Sequence, residues 1–158
     1  MPLPNRNPDT MTDPYPERAI ARDVVIPAAS VLTLNATPVT LVPAPGANLG
    51  LVFEGATIHK PAGTAYAGIA AGEDLSVKYT NAAGAEVGEA ETTGFLDQAT
   101  AQTRYVRPHT AASLISSVTP VANSPLVAHM LAGEITTGDS PLHIRIHYRI
   151  VPMFAFAS

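Results

Sequence analysis

The stretch LHIRIHYRI, Leu142 to Ile150, alternates without interruption. Leu142, Ile144, Ile146, Tyr148 and Ile150 fall on one side, and His143, Arg145, His147 and Arg149 on the other. Only an extended strand with one buried and one polar face satisfies that period. The rest of the chain is cut into short pieces by 15 Pro and 11 Gly, which disfavours long helices.

Between those breaks lie further short alternating or apolar segments. In VLTLNATPVTLVPAPG the pattern predicts strands over Val31–Leu34 and Val39–Val42, with Leu32 and Leu34 on one face and Val39 and Leu41 on one face of the next. Asn35 to Pro38 bends the chain between them, because a residue before Pro avoids the α region. GLVFEGATIHK reads as a buried run with a bulge at Gly55. Leu75, Val77 and Tyr79 alternate with Ser76 and Lys78, and Asn81–Gly84 supplies a turn. ASLISSVTP (112–120) and PLVAHML (125–131) read as two more strands. The piece after Thr93 is the least strand-like: Asp97 could cap a helical turn running through Arg104 and ending at Pro108. Short strands with turn signals every ten or so residues argue for an all-β antiparallel sandwich, or a jelly-roll-like barrel, in one domain over 23–158.

Residues 1–22 are different. Pro2, Pro4, Pro8, Pro14 and Pro16 break any helix, apolar residues are sparse, and Arg6, Arg18 and Arg22 balance Asp9, Asp13 and Glu17. They read as an extended N-terminal arm, either a free tail or an arm that orders on a neighbouring subunit.

Charged residues are only 14% of the chain, against roughly 25% in typical soluble domains, which favours a surface covered in an assembly over the alternative, a monomer that relies on Thr, Ser and Asn for solubility. The net charge of −4 and the lack of a Lys/Arg run argue against direct contact with nucleic acid. No Cys is present, so disulfides and thiolate metal sites are excluded. No stretch approaches the apolar length of a membrane helix, and the first residues lack the basic-then-apolar pattern of a signal peptide.

Few side chains suggest reaction chemistry. His143 and His147 share a strand face and could approach one metal, but Arg145 between them repels a cation; a polar row facing solvent or a partner is the better reading. Glu86, Glu89 and Glu91, set among Gly and small residues, read as an exposed acidic edge, as does Glu73-Asp74. Gly46 and Gly50 lack the Lys-Ser/Thr and the helix of a phosphate loop, and no Ser sits in a nucleophile elbow. Asn35-Ala36-Thr37 is followed at once by Pro38, so it is discarded as a glycosylation site. Tyr66, Tyr79, Tyr105 and Tyr148 lie in or near apolar stretches and read as core residues with a hydroxyl at the rim. No cofactor is expected.

The order VLTLNATPVTLVPAPG, AYAGIAAGEDLSVKYTNAAGAEV, TTGFLDQ and NSPLVAHMLAGEITTGDSPLHIRIHYRIVP, spanning Val24 to Pro152, resembles the head decoration (cement) proteins of tailed bacteriophages. The resemblance is one of pattern, without a diagnostic ligand or catalytic motif. It implies a non-enzymatic β-sandwich or jelly-roll subunit on the capsid exterior of the virion. Such a subunit sits at junctions between major capsid proteins, often as a dimer or trimer, and ties them together. On that reading the contact residues are Arg6, Tyr15, Arg18 and Arg22 of the arm and His143, Arg145, His147 and Arg149 of the polar row. Two rivals remain. One is a β-sandwich binding module for a host glycan or receptor. The other is a metal-dependent enzyme on a jelly-roll scaffold, for which His59, His129, His143 and His147 are too scattered in sequence to show a converging set.

Overall fold

A computed structural model describes residues 19–70, 72–108, 119–131 and 135–153. Among the described residues eight strands and one short helix follow in chain order: β1 (Ile20–Ile26), α1 (Ala28–Val31), β2 (Val39–Val42), β3 (Leu49–Lys60), β4 (Leu75–Tyr79), β5 (Glu86–Ala90), β6 (Gln102–Val106), β7 (Leu126–Met130) and β8 (Leu142–Pro152). They form two four-stranded sheets, β1-β8-β3-β6 and β2-β7-β4-β5, and every pairing is antiparallel.

The order has a simple origin. The pairs β1·β8, β2·β7, β3·β6 and β4·β5 are those of one long hairpin folded at the β4–β5 turn. Rolling that ribbon adds β3·β8 in one sheet and β4·β7 in the other, and the result is a jelly roll. The turn at the tip is built by Asn81: its Oδ1 accepts from Ala83 N and its carbonyl from Gly84 N. A Cβ at Gly84 would fall 1.6 Å from Tyr79 O, so the tip tolerates no side chain there.

Alternation along β8 buries Leu142, Ile144, Ile146 and Tyr148 against the second sheet, while His143 and Arg145 stay exposed. In β3 the inward positions are Leu51 and Phe53, then Ala56, Ile58 and Lys60. The change of parity comes from a bulge: Phe53 pairs with Tyr148 and Gly55 with His147, leaving Glu54 as the extra residue. Gly55 takes φ +146, a conformation other residues avoid, and a Cβ there would meet Val106 O at 3.1 Å. Leu75, Val77 and Tyr79 of β4 and Leu126, Ala128 and Met130 of β7 close the core from the other side. Tyr79 donates its hydroxyl to Leu51 O across the sandwich, and Tyr66 donates to Ser140 O; burial pushes both phenols up to about 12.

The all-β antiparallel sandwich expected from the pattern is what the chain forms, with β2, β4, β7, β8 and the Gly55 bulge where the sequence puts them. Four local expectations are corrected. Val31–Leu34 is not a strand: Pro27 opens α1, and Val31 and Leu34 are buried three residues apart, while Leu32 is half-buried and Thr33 exposed. Four alternating residues also satisfy an i, i+3 spacing, and here the helical period wins. The region after Asp97 holds no helical turn through Arg104. The turn lies earlier, where Phe95 N and Leu96 N both donate to Thr92 O, and Gln102–Val106 is recruited as an edge strand beside β3. Glu86 and Glu89 lie in β5 rather than an exposed loop, opposite Lys78 and Ser76 of β4, and Glu86 is buried. Tyr66, Tyr79 and Tyr148 are buried, but Tyr105 is 77% exposed, because its side points away from the core on β6.

Residues 112–118 of the strand expected over 112–120 and the arm residues Arg6, Tyr15 and Arg18 lie outside the described residues. Among the described residues no helix is long and apolar enough to cross a membrane.

Ile146 is fully buried at the centre of the first sheet. Ile146→Ala should lower unfolding free energy by about 2–5 kcal/mol in a denaturant titration.

Candidate functional site: the open face of the first sheet

The two sheets differ on their outer sides. On the second sheet the outward residues Ser76, Val127 and His129 are buried and Lys78 and Glu89 half-buried, and Thr40 on β2 is exposed. On the first sheet each of the four strands has exposed outward residues, with Thr57, Gly55, His147 and Arg149 half-buried among them, and their register stacks them into rows. Val25, His143, His59 and Thr103 make one row, and Asp23, Arg145, Thr57 and Tyr105 the next. Ala21, His147 and Gly55 make a third, beyond which Arg149 meets the bulged Glu54. Directly opposed side chains on such a face are close enough to interact.

Both arginines of β8 are held by acids from neighbouring strands. Asp23 accepts from Arg145 Nε and Nη2 at 2.7 Å each, a bidentate pair that fixes the guanidinium plane. The hydrogen bond from Arg145 holds the Asp23 carboxyl below its ordinary value, aided by the positive potential of Arg145 and His147, and Asp23 in turn raises Arg145. Arg149 Nε lies 2.5 Å from Glu54 Oε1, an ion pair made possible by the bulge that pushes Glu54 out of register. The Arg145–Asp23 pair is solvent-exposed and orients side chains more than it stabilises the fold, whereas Arg149 and Glu54 are half-buried.

His59 and His143 face each other across β3 and β8, ring centroids 6.4 Å apart and planes tilted by 43°. Thr103 Oγ1 on β6 sits 3.0 Å from His59 Nδ1. With Asp23, Val24, Val25, Thr57, Ile144 and Arg145 the two imidazoles line an open groove of about 380 Å³. Val25 (55% exposed) and Tyr105 (77%) flank the polar rows on the two edge strands.

The row His143, Arg145, His147 and Arg149 is therefore on one face as its spacing requires. Arg22 is exposed but pairs with Ile146, which places it on the other side of β1. Asp23, Glu54, His59, Val25 and Tyr105 join the row through strand pairing, and no signal in the sequence tells which strand lies beside β8.

Two other titratable groups lie elsewhere. Lys60, fully buried at the end of β3, donates Nζ to Pro61 O at 3.2 Å; burial lowers its pKa, while Asp139 works in the opposite direction. Asp139 spends both carboxylate oxygens on Thr64, at 2.7 Å from its N and 2.8 Å from its Oγ1, which holds the acid below its ordinary value. That arrangement ties two loops together and leaves no free base. His129 is buried with Nε2 3.2 Å from Asn35 O and with Nδ1 unpartnered. Among the described residues no group of three or more His, Asp and Glu is placed to hold a metal ion.

No family model matches the chain, and neither a curated protein nor a solved structure matches it.

Two outcomes follow from these charges. In an NMR titration Asp23 should ionise below the ordinary carboxylate range, and Arg145→Gln should move it back up. Burial and, next, Lys78 lower the pKa of His129, whereas its hydrogen bond to Asn35 opposes them. The unfolded chain then binds a proton at His129 before the folded one does. Folding stability should fall as pH drops below the unfolded imidazole value of about 6.5. Denaturant titrations of His129→Gln should show a flatter decline over that range than the wild-type chain does.

Proposed function

We propose that the chain is a non-enzymatic structural protein of a phage particle. On this reading it binds the outer surface of the capsid through the open face of the β1-β8-β3-β6 sheet and stabilises contacts between major capsid subunits. The observation that carries the reading is the contrast between the two outer faces: Ser76, Val127 and His129 are covered on one sheet, whereas His143, Arg145, Asp23 and Tyr105 stand open on the other.

The composition of that face suits a protein partner. Arg and Tyr are, with Trp, the residues enriched at binding hot spots, and here Arg145 is already oriented by Asp23 before any partner arrives. A guanidinium fixed in advance loses less side-chain freedom on docking. The rolled ribbon gives a firm backing, since β8 and β3, the central strands, are each paired on both sides. The low charged fraction reduces the desolvation cost of wide contact. Repetition around a shell lets modest individual contacts sum to durable attachment. Jelly rolls serve both capsid and lectin proteins. Tyr105 is the one exposed aromatic on this face among the described residues, and that favours the protein surface over the sugar platform of the glycan-binding alternative.

Cosedimentation with expanded empty heads tests the reading. Wild-type protein should saturate the heads, and Tyr105→Ala combined with Arg145→Ala should bind about tenfold more weakly or worse. Glu91→Ala, exposed and away from the face, should bind as wild type does. A chain starting at residue 19 keeps all of β1 and should also lose affinity if the arm reaches a neighbour. Failure of the wild-type protein to join heads would overturn the decoration role. Unchanged binding of the double variant would overturn the face. Glycan-array binding without head binding would move the protein to the binding-module class.

A further inference from the structure

We infer that His59 and His143 form a two-histidine surface site for a divalent d-block cation such as Zn²⁺ or Ni²⁺. The observation behind it is structural and independent of the proposed role on capsids. The two residues are register partners on adjacent antiparallel strands, both on the exposed side of the sheet, with ring centroids 6.4 Å apart. They are 84 positions apart in the chain, so the pair exists only because β3 and β8 meet in the rolled ribbon.

Three features favour a metal over a bare polar pair. First, the separation is nearly right. Zn–N bonds of about 2.0–2.1 Å at a tetrahedral angle hold two ligating imidazole centroids roughly 5 Å apart. Closing the gap takes small side-chain rotations on an open face. Second, His59 has an orienting partner. Nδ1 lies 3.0 Å from Thr103 Oγ1, and in the tautomer whose Nδ1–H donates to that hydroxyl, Nε2 keeps its lone pair for a metal. A ligating imidazole is usually fixed by an acceptor for its other N–H, most often a carboxylate, a backbone carbonyl or water, and here the Thr103 hydroxyl stands in that place. Third, the cation that would be expected to repel a metal is already neutralised. Arg145 lines the same groove, but both arms of its bidentate pair go to Asp23.

Only two protein ligands are supplied, so the remaining positions are left to water or to a donor from a docked partner. Imidazole, a borderline ligand, suits Zn²⁺ and Ni²⁺ and excludes the hard cations Ca²⁺ and Mg²⁺, which require oxygen donors. The metal competes with protons for the two lone pairs, so binding weakens on acidification. His147 shares the face, but it stands opposite Gly55 and has no imidazole across from it. That makes it the internal control.

Titration calorimetry of the untagged full chain with Zn²⁺ should give saturable one-to-one binding, lost in His59→Gln and in His143→Gln and kept in His147→Gln. Thr103→Val, which removes only the orienting hydroxyl, should weaken binding about tenfold. Equal thermal unfolding midpoints across the set would show that each variant is folded. A second readout needs no variant: Ni²⁺ should broaden the imidazole NMR signals of His59 and His143 before those of His147 and His129. Absence of saturable binding, equal binding in the His59 or His143 variants, or broadening centred on another histidine would overturn the site.

Discussion

The arrangement rests on β8 lying between β1 and β3. Each edge of β8 is hydrogen-bonded, so its position in the first sheet is fixed from both sides. Its alternation does the rest. Leu142, Ile144, Ile146 and Tyr148 drive one side into the core, and this obliges His143, Arg145, His147 and Arg149 to face out. A slip of one residue would exchange the two sets and put charges in the core, a cost far above any gain from pairing. Register is therefore set by burial, and the polar face inherits its geometry from the apolar one.

The bulge at Glu54 shows how a local irregularity serves both sides of the sheet. On the inner side it switches the inward residues of β3 from Phe53 to Ala56 and Ile58, which keeps the core continuous as the strand turns. On the outer side it lifts Glu54 to within reach of Arg149. Without it, His59 would fall on the inner side of the sheet rather than opposite His143. One inserted residue thus decides which histidines share a face.

The fold class was legible because period two survives in β4 and β8, and because Gly55 and Asn81–Gly84 carry the chemistry of a bulge and a turn. Shorter pieces were not. Val31 to Leu34 satisfies two periods at once, and Pro27 decides for the helix. Gln102–Val106 looks unlike a strand because Arg104 takes an inward-side position, where it donates to Gly94 O and covers the Phe95 ring at 5.2 Å. The polar row of β8 was visible as a row, but Asp23, Glu54, His59 and Tyr105 come to it from three other strands. Antiparallel pairing at long sequence separation leaves no mark in any one segment. The partners of a face are a property of topology, and a single chain read linearly does not contain it.

The same topology sets how load passes through the molecule. Ile20, where β1 begins, is paired with Tyr148, close to where β8 ends, so the flanking chain enters and leaves at one end of two neighbouring strands. Tension applied between those two ends would peel the β1·β8 ladder apart one rung at a time, which is the weakest way to strain a sheet. Tension carried instead along β3 and β8, whose paired stretch extends from Leu49·Pro152 to His59·His143, would shear many rungs together. Strain along β3 and β8 is thus shared by many paired residues at once, whereas strain at Ile20 and Pro152 falls first on the end of one ladder.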